Sequence, residues 1–176
     1  MNSIETILSI IAPHRCLGCG KKGYVLCNQC QDAELVSSPS RCYRCHKATL
    51  QHQTCATCRK VAGLQHVWIV SAYEGLAKET LELMKFHRAS AASTDIARAL
   101  AAVLPLLPRE TVVTYAPTAT SRIRKRGFDQ SHLIAKSLAR QKALQFAAVF
   151  DRVSSTRQLG AGREARFRQA NSSFAV

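Results

Sequence analysis

All eight cysteines of this 176-residue chain fall in Cys-x-x-Cys pairs: Cys16/Cys19, Cys27/Cys30, Cys42/Cys45 and Cys55/Cys58. Two-residue spacing lets both sulfurs of a pair face one point, at the Zn–S distance of about 2.3 Å that a tetrahedral site requires. Four pairs make two complete four-cysteine sets. The segment around them is too polar for a sizeable core, so metal would supply most of its folding free energy. A disulfide scaffold would fit a secreted protein. The apolar residues 4–11, however, lack a cationic lead and include Glu5, unlike a secretory signal, and the expected location is cytoplasmic. A redox dithiol needs one pair rather than four. The spacing predicts two structural zinc sites.

Seven residues separate Cys19 from Cys27 and nine separate Cys45 from Cys55, so each half can close its own ribbon. The favoured sets are Cys16, Cys19, Cys27, Cys30 and Cys42, Cys45, Cys55, Cys58, with an interleaved cross-brace as the alternative. His46 and His52 are near enough to replace a cysteine, but eight sulfurs already fill two sites. Protein takes all four positions of each site, which leaves none for a catalytic water. These zincs are expected to hold structure.

Around the cysteines, residues 3–11 space Ile4, Ile7, Leu8 and Ile11 as a short amphipathic helix. Residues 67–73 are β-branched and aromatic-rich and read as a strand. Helices are predicted over 76–87 and 91–104, the second ended by Pro105. A strand over 111–115, a helix over 129–142 and a strand over 147–153 follow. Residues 152–168 read as a mobile loop and a helical turn. The alternation predicts an α/β domain with a largely parallel sheet, residues 65–176, after a cysteine module of residues 1–64. No apolar run approaches the roughly 18–20 residues of a membrane span.

Between the strand at 111–115 and the helix at 129 runs a basic stretch with Arg122, Arg124, Lys125 and Arg126, closed by Gly127. Ligands of open α/β sheets bind beyond the carboxyl ends of strands. Cations combined with the amides of a helix N-terminus suit phosphate or diphosphate. A solvated basic face is the competing reading. No Gly-x-x-x-x-Gly-Lys-Ser/Thr loop is present. No residue set for general acid–base chemistry stands out.

These motifs together resemble the competence protein F (ComF) family of phosphoribosyltransferase-like proteins. The resemblance rests on the cysteine module, on Tyr73-Glu74-Gly75 and Lys85-Phe86, and above all on Arg126-Gly127-Phe128-Asp129-Gln130. It continues through Arg152, Thr156, Gln158, Gly160, Arg166 and Phe174. It implies a type I phosphoribosyltransferase fold, partial here, behind a double zinc ribbon. By the same resemblance Arg126 and Gly127 contact the diphosphate of phosphoribosyl pyrophosphate (PRPP), with Arg124 and Lys125 as neighbours. Arg152 and Arg166 then belong to the hood over the site, and Mg²⁺ bridges the diphosphate and the ribose hydroxyls. A role in DNA uptake is implied too, with DNA or a competence helicase as partner.

The chain departs from that pattern in one large respect. The family's loop of two acidic residues followed by Thr-Thr-Gly has no counterpart, and no Asp-Asp pair occurs in the 176 residues. That loop holds the 5′-phosphate and the ribose hydroxyls. The expectation is a chain incomplete at its C-terminus, in which Mg²⁺–PRPP chemistry requires the missing part. Asp129 also stands where Asn is usual, Gln169 where Asn is expected, and Ala161 where Leu is usual. The alternative function is a zinc-ribbon DNA-binding or protein-interaction adaptor without catalysis.

Charge sharpens the choice between them. The formal net charge is +14, and 47% of residues are hydrophobic, which excludes a disordered polycation. Eight thiolates and two Zn²⁺ ions lower that charge by four. Residues 67–121 are balanced, whereas residues 122–176 carry 12 basic and 3 acidic side chains. Most of the excess therefore lies in the segment that resembles the diphosphate loop and hood.

Overall fold

Each half of the cysteine segment builds the same local unit. In the first, the Gly20 N–H donates to the Cys16 carbonyl at 2.8 Å and the Cys16 N–H to the Lys21 carbonyl at 2.9 Å. In the second, His46 donates to Cys42 and Cys42 to Lys47, both at 2.9 Å. Antiparallel bridges between Arg15 and Lys22, and between Arg41 and Ala48, close the two knuckles. Each knuckle turns through a residue with positive φ, Gly20 at 75° and His46 at 60°. Glycine enters that region without a Cβ clash, and histidine tolerates it better than a branched side chain. The second cysteine pair of each unit then starts a helix. Cys27 caps α1 (Asn28–Glu34) and Cys55 caps α2 (Ala56–Arg59).

This is a computed structural model that describes residues 13–87, 89–153 and 173–175. The helix expected over 3–11 and nearly all of 152–168 lie outside the described residues.

Residues 67–73 form no strand, which corrects the sequence expectation. Composition favours extended backbone there, but a strand exists only by pairing with a neighbour. The Val67 N–H instead donates to the His52 carbonyl at 3.1 Å. The helices come close to expectation. Helix α3 (Gly75–Phe86) buries Thr80 and Met84, and α4 (Ala92–Val103) buries Ala92, Ser93, Asp95, Ala97 and Ala99. Strand β1 (Val112–Val113) is followed by α5 (Thr120–Arg126), α6 (Gln130–Lys142) and β2 (Gln145–Phe146). Strand β1 runs parallel to β2, with Val112 opposite Gln145 and Val113 opposite Phe146.

Strands β3 (Asp151–Arg152) and β4 (Phe174–Ala175) pair antiparallel. The strand expected over 147–153 is therefore shorter, and β2 precedes it. Among the described residues the architecture is mixed, with helices and two two-stranded sheets, one of them parallel.

Helices α4 and α6 make the most extensive packing between elements, because the alanines of α4 and Ala135 and Ala139 of α6 let the two backbones approach closely. The apolar cluster at this junction holds Val25, Met84 and Ala92, with Leu17, Leu83, Ile96, Phe128, Leu133 and Ile134 against it. Leu17 and Val25 come from the first cysteine unit. The core thus crosses the boundary expected near residue 64.

Candidate functional site

The sulfurs of Cys16, Cys19, Cys27 and Cys30 lie within 4.8 Å of one another, as do those of Cys42, Cys45, Cys55 and Cys58. A tetrahedral Zn²⁺ with 2.3 Å bonds needs sulfurs about 3.8 Å apart. The Cys19–Cys27 and Cys45–Cys55 sulfur pairs are each 3.6 Å apart. Both donor sets fit Zn²⁺, and the grouping is the sequential one rather than the cross-brace. Bound there, the ion supplies four bonds that tie each knuckle to the start of its helix.

The thiols are prepared unequally for this. Burial pushes the Cys16 thiol up, but the N–H groups of Cys27, Cys19 and Gly18 outweigh it and bring it from an ordinary 9.0 to about 6. The N–H groups of Cys45 and Cys55 likewise lower Cys42 to about 6, against burial. Burial and the hydrogen bonds its S–H donates to Cys16, Cys19 and Cys27 push Cys30 up to about 12. Bonds to Cys55, with burial next, take Cys58 to about 12. Within each set one sulfur readily becomes a thiolate and one keeps its proton. Only a cation among them makes four thiolates stable together.

The two units differ in how they join the rest of the chain. Asp95 of α4 is buried, and its Oδ2 accepts the Val25 N–H at 2.8 Å and the Leu26 N–H at 3.0 Å. Gln31 of α1 donates from Nε2 to the carbonyls of Leu26 and Asp95. Arg98 pairs with Asp95 at 3.0 Å, and its guanidinium lies 5.5 Å from the centroid of the Tyr24 ring. The second unit keeps its hydrogen bonds among residues 40–67, among the described residues. Neither Asp95 nor Gln31 was singled out from sequence. An acidic residue three positions before Arg98 on an alanine-rich helix was the available signal.

The basic stretch is not a loop throughout, since residues 120–126 form α5. Arg124, Lys125 and Arg126 occupy its last turn, where cations meet the negative end of the helix dipole. Gly127 caps it at φ 88°, its N–H donating to the Ile123 carbonyl at 2.7 Å. Arg124 and Lys125 are exposed, and Arg126 is half-buried with Nη1 donating to Gln130 Oε1. Burial and then the charge of Arg122 lower the Arg126 guanidinium, opposed by Asp129.

Asp129 caps α6, and its Oδ1 accepts the N–H groups of Ser131 at 2.9 Å and His132 at 3.3 Å. Those amides were expected to face a phosphate directly, and the carboxylate already occupies them. Its oxygens also accept the Thr118 N–H at 2.8 Å and the Thr118 hydroxyl at 2.9 Å, which ties the two ends of the basic stretch together. Arg152 reaches that stretch through Nη1, 3.4 Å from the Pro117 carbonyl, and its guanidinium lies 5.3 Å from the centroid of the Phe174 ring. Arg166 lies outside the described residues.

Beside this end of β1, Tyr115 stacks on Phe146 at 6.0 Å, and His132 meets both rings edge-on at 5.2 Å. Burial, then the charges of Asp129 and Asp151, raise the Tyr115 hydroxyl above its ordinary value. A separate apolar cavity of about 210 Å³, lined by Leu26, Leu35, Tyr73, Ile96 and Leu100 among others, shares no residue with the basic stretch. Among the described residues, no helix is long and apolar enough to cross a membrane.

Comparison with protein-family models, curated proteins and solved structures finds no match to this chain.

Proposed function

We propose that the chain is a ComF-like phosphoribosyltransferase homologue that binds the diphosphate of a phosphorylated ligand such as PRPP through its basic segment. The single observation that carries this reading is the order β1, basic helix α5, Gly127, capped helix α6, parallel β2. That order sets Arg122, Arg124, Lys125 and Arg126 beyond the carboxyl end of a parallel strand, where α/β sheets take their ligands. Cations there would stabilise the charge of a diphosphate by preorganised electrostatics. The double zinc ribbon is read as structural support, and Mg²⁺ as a companion of PRPP rather than a resident ion. Calorimetric titration of the zinc-loaded chain with PRPP and Mg²⁺ tests the reading. Saturable heat that Arg126→Ala weakens supports it, and an absence of heat rejects it.

The adaptor reading is favoured by one feature of the second ribbon. Leu50 and Val61 are 81% and 72% exposed there, in a segment that also exposes Arg41, Arg44, Arg59 and Lys60. Exposed aliphatic side chains fit a protein partner better than nucleic acid, which is bound through phosphate contacts and stacked aromatics. Anisotropy titration with single-stranded DNA separates these cases. Binding with a log–log salt slope of several units would speak for DNA.

A further inference from the structure

The two cysteine sets are not equally accessible. In the first, Cys16, Cys27 and Cys30 are buried and only Cys19 is exposed. Tyr24, Leu35 and Leu76 pack against them, and a Cβ added at Gly18 would come within 2.7 Å of the Cys30 sulfur. In the second, only Cys42 is buried, Cys45 is exposed, and Cys55 and Cys58 are half-buried. Among the described residues, no apolar cluster packs against this second set.

Each set holds one sulfur pair at 3.6 Å, Cys19 with Cys27 and Cys45 with Cys55. A disulfide would bring such a pair to about 2.05 Å, so one cysteine of the pair has to shift. Cys27 is 3% exposed and follows Leu26, whose N–H is held by the buried Asp95. Close packing of that kind resists movement. Cys55 instead caps α2, which has four residues and buries none of them. Metal-bound cysteines are already thiolates, the nucleophilic form, so access and freedom to move decide which of them react.

We infer that the second set is an oxidation site, at which a peroxide converts Cys45 and Cys55 to a disulfide while the first set survives. In the first step the Cys45 thiolate attacks one peroxide oxygen. The O–O bond breaks, the sulfur becomes a sulfenic acid, and the other oxygen leaves as hydroxide. The Cys55 thiolate then attacks the Cys45 sulfur, the S–S bond forms, and the S–O bond breaks to release a second hydroxide. Two electrons pass from the cysteine pair to one peroxide, and both hydroxides take protons from solvent. Two sulfurs remain, too few to hold Zn²⁺ in a four-coordinate site. This modification stands apart from the diphosphate reading, and either can fail alone.

The test treats zinc-loaded full chain with a small excess of hydrogen peroxide, while a colorimetric chelator reports released zinc. A sample with chelator and no peroxide gives the spontaneous loss. One ion per chain is expected to leave first. The other should follow at least about 10-fold more slowly, because peroxide reaches the first set only through local opening. After free thiols are blocked, trypsin cuts at Arg41, Arg44, Lys47 and Arg59 and puts Cys42, Cys45 and Cys55 on separate peptides. Mass spectrometry without reduction should find residues 45–47 joined to residues 48–59, with fragment ions placing the bond at Cys55. A dithiol reductant with added zinc should restore both ions.

Equal rates of release, or no release beyond the peroxide-free sample, would overturn the inference. So would a disulfide within the first set, a bond between Cys55 and Cys58, or sulfinic acid at Cys45 without any bond.

Discussion

Asp95 Oδ2 accepts the backbone N–H of Val25 at 2.8 Å, joining the segment just before α1 to the first turn of α4 across 70 residues of sequence. With Leu26 N–H on the same oxygen, this carboxylate anchors the first cysteine unit to the helical core. Asp95→Ala leaves two buried amides without an acceptor and Arg98 without its partner. The expected loss is about 3 kcal/mol, or roughly 6–12 °C in Tm for a chain of this size. Thermal melts of zinc-loaded protein check it, and an unchanged Tm would refute the anchoring role.

The two metal sites should differ in their reach. Cys30→Ser and Cys58→Ser each remove one sulfur, and zinc content should fall from two ions per chain to one in both. Only Cys30→Ser should expose the amides of α3 and α4, because Leu17 and Val25 of the first unit enter their apolar cluster. Hydrogen exchange read by mass spectrometry separates the outcomes. Equal loss of protection in both variants would contradict the asymmetry.

Zinc loading should depend on pH in a defined direction. In the metal-free fold the Cys16 and Cys42 thiols titrate at about 6, below the ordinary 9.0. Their contribution to stability is present above the ordinary value and is lost as pH falls through about 6. Cys30 and Cys58 titrate at about 12, so their contribution is present below the ordinary value and lost as pH rises toward 12. Zinc needs all four thiolates, so loading near neutral pH must expel the protons of Cys30 and Cys58. Competition with a colorimetric chelator from about pH 5 to 8 should show affinity rising with pH and falling away steeply below about 6. A flat profile would be incompatible with this thiol arrangement.

Ala143 ends α6 at φ 52° and ψ 42°, with its N–H donating to the carbonyls of Ala139 and Arg140. A residue with a Cβ is strained in that region and glycine is not. Ala143→Gly is therefore expected to stabilise the chain by about 0.5–1 kcal/mol, even though glycine gains entropy in the unfolded state. Denaturant unfolding measures it, and destabilisation would reject the strain argument.

Part of the fold is legible in the local sequence. The helices at 75–86, 92–103 and 130–142 were legible because apolar spacing, Pro105 and Asp129 mark them locally. Helix α5 was not, since Ile123 is its one strongly apolar residue and its stability comes from Gly127 and the helix dipole. The strand expected at 67–73 failed for the opposite reason: its composition is right, but no neighbouring strand pairs with it among the described residues.

The candidate sites divide along the same line. Spacing alone pointed to two four-sulfur donor sets able to hold zinc, because two residues between cysteines let both sulfurs of a pair meet at one point. The basic stretch after β1 was legible too, as a run of cations between an expected strand and an expected helix. Only the tertiary structure decided how the sulfurs group, which zinc unit the core absorbs, and that Asp129 occupies the helix amides beside Arg126. Those outcomes depend on contacts such as Asp95 with Val25, between residues far apart in the chain. Their strength comes from burial, and burial is a property of the assembled fold.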